Sequence, residues 1–185
     1  MKYFVAYLIS GSAKSYLERL TKQVSEKYKT EAFFEKVPPH VTIKVPFVAT
    51  DEGILEVERV LRAYARTAEA PRLAFKGFGH FGFRTIYLNG EGREAILFVR
   101  RCLALLKDNV DWLAQPPLEG NKLHASVARF LSRRKFERIW RGLKGAHPHV
   151  EVTVDNVAIL KQVDGVWKVH ALIPVRTDTF ADRTV

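Results

Sequence analysis

Cysteine is nearly missing from this chain. Cys102 is the only one in 185 residues, so no intrachain disulfide can form and a reducing, cytoplasmic setting is the expectation. Long apolar runs are missing as well. Nothing approaches the roughly 20 residues of a membrane-spanning helix, so no membrane partner is expected. The apolar start, Tyr3 to Ile9, is short, follows a single lysine and leads at once into a helical pattern. It reads as a first buried strand rather than a cleaved leader. No Gly-x-Gly-x-x-Gly or Walker-type loop follows a strand pattern, which sets aside the usual nucleotide-binding folds. A Gly-x-Ser-x-Gly elbow is also absent, so a Ser-His-Asp hydrolase of the elbow type has no nucleophile here. Acidic residues are in deficit: 30 Lys and Arg stand against 20 Asp and Glu, a net charge of +10. That excess favours a polyanionic partner such as RNA or a phosphorylated metabolite; the competing account is a basic surface that serves solubility.

What is present is ordinary globular composition, 47% hydrophobic and 27% charged, in a chain long enough for one domain or two small lobes sharing a core. Leu17, Leu20, Val24 and Tyr28 recur at helical spacing behind Ser12, and Ile54, Val57, Leu61 and Ala65 do so behind Thr50 or Asp51. Ile96, Val99, Leu103 and Leu106 mark a third helix around Cys102. A fourth follows Ser132, with Phe136, Ile139, Trp140 and Leu143 on one side and Arg133, Arg134, Lys135, Arg138, Arg141 and Lys144 elsewhere. The last helix offers either a solvated face or a strip for RNA phosphates. Strand patterns cover Leu73 to Phe78 and Thr85 to Leu88, joined by the aromatic, glycine-rich stretch at 77–83. Val150 to Leu160 and Val166 to Val175 read as a hairpin across Asp164-Gly165. The long connection from Asp108 to Lys122 is expected to edge a site. Helices mixed with hairpin strands predict an α+β fold with antiparallel sheets.

Two strand-like runs carry the chemistry. Pro39-His40-Val41-Thr42-Ile43-Lys44 and Leu123-His124-Ala125-Ser126-Val127-Ala128 each place a hydroxyl two residues after a histidine. Alternate side chains of a strand share a face, so His40 goes with Thr42 and His124 with Ser126, while Val41, Ile43, Val45, Ala125 and Val127 point inward. Histidine titrates near neutrality, so such a pair can supply one neutral base and one protonated acid. The hydroxyls can donate to phosphoryl oxygens. Neither triplet has a carboxylate or cysteine nearby, and two histidines are too few for a zinc site; no cofactor is expected. Of the remaining histidines, His147 and His149 read as solvated loop residues, His170 as the polar side of an edge strand, and His80 as a minor candidate for the cleft. The same triplets would also fit two ordinary strands, and residues alone leave both accounts open.

The pattern resembles the 2H phosphoesterase superfamily, specifically its branch of 2'-5' RNA ligases and RNA 2',3'-cyclic phosphodiesterases. The resemblance runs over nearly the whole chain: the first apolar strand, the motif at 39–44, Phe81, Arg84, Tyr87 and Leu88, and His-Ala-Ser-Val-Ala-Arg at 124–129. It implies residues 1–185 as a single bilobal domain, two pseudo-symmetric α+β lobes with flanking helices around a central cleft. His40, Thr42, His124 and Ser126 would be catalytic, with His124 as base and His40 as acid, and Arg129, Lys44, Phe81 and Arg84 would contact substrate. Strict alternation puts Arg129 on the face opposite His124, so a bulge would have to turn it inward. Val45-Pro46 stands where the family more often has Phe-Leu. The implied activity is metal-independent hydrolysis of 2',3'-cyclic phosphate RNA ends or small cyclic nucleotides to 2'-phosphates by a monomer, with 2'-5' ligation as its reverse. Hydrolysis of 2'-5' oligoadenylate or another linear diester, 3'-end trimming of RNA and a non-catalytic RNA-binding module are the rival readings.

Overall fold

The computed structural model describes residues 1–113 and 122–177. Most of the long connection expected to edge a site, residues 114–121, lies outside them. Eight strands and four helices run in the order β1 (Lys2–Leu8), α1 (Gly11–Tyr28), β2 (His40–Val48), α2 (Asp51–Ala65), β3 (Arg72–Phe81), β4 (Thr85–Glu91), α3 (Arg93–Asn109), β5 (His124–Ala128), α4 (Arg133–Leu143), β6 (His149–Thr153), β7 (Asn156–Val163) and β8 (Val166–Pro174). They form two four-stranded antiparallel sheets, ordered β2-β1-β7-β8 and β5-β4-β3-β6. The α+β expectation holds.

Each strand that carries a histidine motif is an edge strand, and the two edges, β2 and β5, lie against one another. The fully apolar start forms β1, inside the first sheet between β2 and β7, as its uniform hydrophobicity requires. The main core gathers Tyr3, Val5, Tyr7, Val41, Val157 and Ile159 of the first sheet with Leu73, Phe75, Ile86, Leu88, Ala125 and Val127 of the second, together with the helices' apolar faces. A smaller cluster of Phe4, Ala6, Phe33, Val37, Ala158 and Leu160 covers the other face of the first sheet.

The lobes are not two consecutive halves. The run read as one strand from Val150 to Leu160 is two: β6 pairs with β3 in the second sheet, and β7 pairs with β1 and β8 in the first. Between them the chain crosses over. Val154 N–H donates to Pro71 O at 2.8 Å, and the Asn156 amide bonds both the N–H and the C=O of Leu8, at 3.0 and 2.9 Å. β6 alternates and β7 is continuously buried at its start, and Asp155-Asn156 at their junction is the one local sign of the break.

Helix starts follow local chemistry. Thr50 Oγ1 accepts the Gly53 N–H at 3.1 Å, and Ser132 Oγ accepts the Lys135 N–H at 3.4 Å, which satisfies amides left open in a first turn. The expected Ser12 cap is not used. Helix α1 begins at Gly11, whose φ of +60° turns the chain out of β1. The apolar faces expected of α1 and α2 are the ones buried. On α4, Ile139 is buried, while Phe136 and Trp140 hold the ring of His80 at 5.2 and 4.8 Å between centroids. His80 thus ties α4 to the β3–β4 hairpin, which corrects its candidacy for the cleft. Cys102 is fully buried in α3, and burial pushes its thiol up to about 12, so it is a packing residue.

Candidate active site

The register of the two edge strands sets the site. On β2, Leu8 faces His40 and Ala6 faces Thr42; Val5 then faces Lys44, so Ile43 is an extra residue. On β5, Asn89 faces His124 and Tyr87 faces Ser126; Ile86 then faces Ala128, so Val127 is an extra residue. The same bulge follows the same motif in both lobes. Each bulge turns over the residues that directly follow it, because side-chain direction has a period of two; on β2 the register shifts again between Lys44 and Phe47.

This has opposite consequences for two expected substrate contacts. Arg129 comes round to the face of His124 and Ser126, as the sequence required of it. Its cation depresses the pKa of both His40 and His124, so it stands near each ring. Lys44 is turned the other way, opposite Val5 of the main core, and is 2% exposed. The expectation that Lys44 contacts substrate is therefore corrected: the bulge at Ile43 carries it off the His40 face. The position corresponding to Arg129 in the first lobe is Val45, expected to point inward; it lies beyond the bulge and is 47% exposed. Among the described residues, the two motifs give the cleft pseudo-symmetric histidines and hydroxyls but an arginine after the second motif alone.

The histidines are held alike. His40 Nδ1 lies 2.8 Å from Pro38 O, and His124 Nδ1 lies 3.0 Å from Lys122 O. A carbonyl can only accept, so Nδ1 donates in both rings and Nε2 is left for chemistry. The Phe4 ring packs on His40 at 5.1 Å, and Phe81 and Tyr87 pack on His124 at 4.9 and 5.1 Å. Tyr87 in turn lies over Gly79, where an added Cβ would come within 2.5 Å of the ring; the glycine leaves the space that seats the aromatic shelf. Burial pushes His40 down to about 4, with Arg129 and His124 adding to the effect against the Pro38 bond. His124 is lowered too, by burial first, then by Arg129 and Lys122, against the Lys122 carbonyl bond. Thr42 and Ser126 are half-buried, and neither hydroxyl bonds a protein group among the described residues. Ser126 and His40 line one small cavity with Leu17, Thr21, Phe33 and Val37.

Phe81 sits at the rim, 43% exposed. Arg84 is exposed in the β3–β4 turn, and its carbonyl accepts the Leu131 N–H at 3.1 Å. That bond ties the turn to the segment leaving Arg129. Phe47 packs on Tyr3 and Trp112. His149 opens β6 and pairs with Glu151 at 3.4 Å instead of lying in a loop, and His170 lies on the edge strand β8 as expected. Among the described residues, no three His, Cys, Asp or Glu side chains gather as a metal site would need, and no helix is long and apolar enough to cross a membrane. Sequence reasoning missed Phe4, whose contact with His40 depends on the pairing of β1 with β2.

Depressed histidines couple the site to stability. Below the ordinary value of 6.5 the unfolded chain takes up the His40 proton while the folded protein resists it down to about 4. Stability present above 6.5 is therefore lost as pH falls through that window. Urea midpoints should drop between pH 6.5 and 4.5, and His40→Asn should flatten the drop by up to about 3 kcal/mol. An unchanged slope in the variant would show that His40 is not the source.

Relatives are consistent with this geometry. A protein of Geobacillus sp. (strain WCH70) named "Putative phosphoesterase" is 27% identical over 92% of this chain and 94% of its own length. One of the same name from Bacillus pumilus is 29% identical over 92% of this chain and 95% of its own. The fold is shared with Escherichia coli LigT solved with 3'-AMP, with a TM-score of 0.64 at 11% identity over 94% of this chain and 97% of that one. It is shared also with Kluyveromyces marxianus Usb1, with a TM-score of 0.51 at 12% identity over 94% and 98%. The model of the 2'-5' RNA ligase superfamily matches residues 11–166. That span holds both histidine strands, both bulges and parts of both sheets, and the chain belongs to the 2'-5' RNA ligase superfamily, the 2H phosphoesterases.

Proposed function

We propose that this protein hydrolyses 2',3'-cyclic phosphates on RNA ends or small nucleotides and leaves a 2'-phosphate. The observation that carries this reading is the meeting of two histidines, each fixed with Nε2 free, beside one arginine that acts on both rings. A phosphodiester needs a base for the attacking water, an acid for the leaving oxygen, and donors for the charge gathering on phosphorus oxygens. The named relatives described as phosphoesterases, and the nucleotide bound to LigT, are in keeping with that chemistry.

The deeper histidine, His40, is the more firmly neutral, so we assign it as the base and His124 as the acid. This reverses the order expected from sequence. His40 Nε2 takes a proton from water as the water oxygen bonds to phosphorus. The bond from phosphorus to the ribose 3' oxygen breaks, and His124 Nε2 delivers a proton to that oxygen. Thr42, Ser126 and the Arg129 guanidinium hold the phosphoryl oxygens, the last with a fork suited to two of them. The bound phosphate's negative charge stabilises the protonated form of the acid. Phe81, at the rim against His124, is placed to stack on the base.

A substrate panel tests the reading. Turnover of 2',3'-cyclic nucleotides and cyclic-ended RNA to 2'-phosphates, with little on 2'-5' or 3'-5' linear diesters, is expected, and EDTA should leave the rate unchanged. Preferred cleavage of a linear 2'-5' diester would move the assignment to that substrate. Loss in EDTA with recovery on adding zinc or manganese would contradict the scheme.

A further inference from the structure

Beside the cleft, the second lobe exposes aromatic and basic groups that the reaction does not use. Phe83 is 46% exposed in the β3–β4 turn, two residues past Phe81, and Phe130 is 63% exposed next to Arg129. The bond from Leu131 N–H to Arg84 O joins these two segments at one rim. Phe130 also has φ of +55°, a conformation that bulky residues rarely adopt, and such outliers cluster at functional positions. Its ring lies under the Arg129 guanidinium at 5.1 Å. Apart from this contact with Arg129, a large apolar ring held in water and in the left-handed region serves no core packing and no backbone preference.

Helix α4 begins three residues later. Ile139, Phe136, Trp140 and Leu143 face the protein, so Arg134, Arg138 and Arg141, spaced at i, i+4 and i+7, form a stripe on its outer face. All three are exposed, and none forms an ion pair among the described residues. Neighbouring basic residues are engaged: Arg133 with Glu137 at 3.2 Å, and Lys135 with the last carbonyl region of α1 through Lys29 O at 2.6 Å. Phe83 and Phe130 lie in the segments of the site residues Phe81 and Arg129, and the stripe runs for about 10 Å along the axis of the helix that follows.

We infer that this surface binds single-stranded RNA upstream of the reacting end: Phe83 and Phe130 stack on bases next to the terminal nucleotide, and Arg134, Arg138 and Arg141 meet the phosphates that follow. Stacking rings beside a basic track are what sequence-tolerant single-strand binding requires, and the net charge of +10 agrees in sign. The inference rests on the proposed activity and narrows its substrate class to oligonucleotides.

The test compares kcat/KM for a 2',3'-cyclic mononucleotide and for an eight-nucleotide RNA ending in a cyclic phosphate. It uses wild type, Phe83→Ser and the triple variant Arg134→Ser/Arg138→Ser/Arg141→Ser. Wild type should favour the RNA, and each variant should lose about 10-fold or more on RNA alone. In the triple variant the slope of log Kd against log salt should flatten by about 2. Equal use of both substrates by wild type, or equal losses on both by the variants, would overturn the inference. Should wild type turn over neither substrate, the proposed activity itself fails. Anisotropy with a labelled RNA then decides the surface separately: salt-sensitive binding that the triple variant lacks supports it, and its absence refutes it.

Discussion

Alanine at His40 or His124 lowers kcat/KM on a cyclic phosphate by about 10²–10⁴-fold, and the double variant is little worse than either single one, because the pair acts as a unit. The geometry behind this is that each ring is fixed through Nδ1 to a carbonyl two residues earlier, so its Nε2 has no other task. The two roles separate on leaving group. A nitrophenyl phosphodiester departs without a proton, so His124→Ala should recover most of its loss on that substrate, while His40→Ala should remain impaired. The opposite pattern would exchange acid and base. Equal losses on both substrates, in both variants, would contradict a division of labour.

Arg129→Gln is the second large effect, about 10²–10³-fold in kcat/KM, since it removes a preset cation from the developing charge. It carries a signature that a merely structural loss would not produce. Arg129 depresses both histidines, so removing it raises both values, and both limbs of the kcat/KM profile move to higher pH. In wild type that profile is bell-shaped, with its acid limb near the His40 value of about 4 and its basic limb below 6.5. Arg129→Lys should restore the limbs but only part of the rate, because an ammonium lacks the two-pronged geometry of the guanidinium. Limbs that stay in place in Arg129→Gln would show that Arg129 does not act on the pair.

The chemistry of this site was legible because it lies in short strands whose period of two is written directly in the residues. His40 with Thr42 and His124 with Ser126 needed nothing beyond alternation. Lys44 and Arg129 escape the sequence pattern for one physical reason: a bulge is invisible in a run of β-branched and small residues, yet it reverses the side chains that directly follow it. Ile43 and Val127 look like any inward-facing strand residues. The β6–β7 boundary is marked locally only by Asp155-Asn156, two polar residues between apolar strand runs, and what they do depends on the distant Leu8 that Asn156 bonds. His80 shows a further limit. Its role depends on α4 returning to the β3–β4 hairpin, a contact between segments more than fifty residues apart that no local pattern encodes.

The central claim is that His40 and His124 form one phosphodiester site. Its most direct measurement is product formation from an RNA ending in a 2',3'-cyclic phosphate, in EDTA, by wild type and by the His40→Ala/His124→Ala variant at matched folding. A 2'-phosphate released by wild type and absent with the variant is the predicted result; product formed equally by both proteins would contradict it.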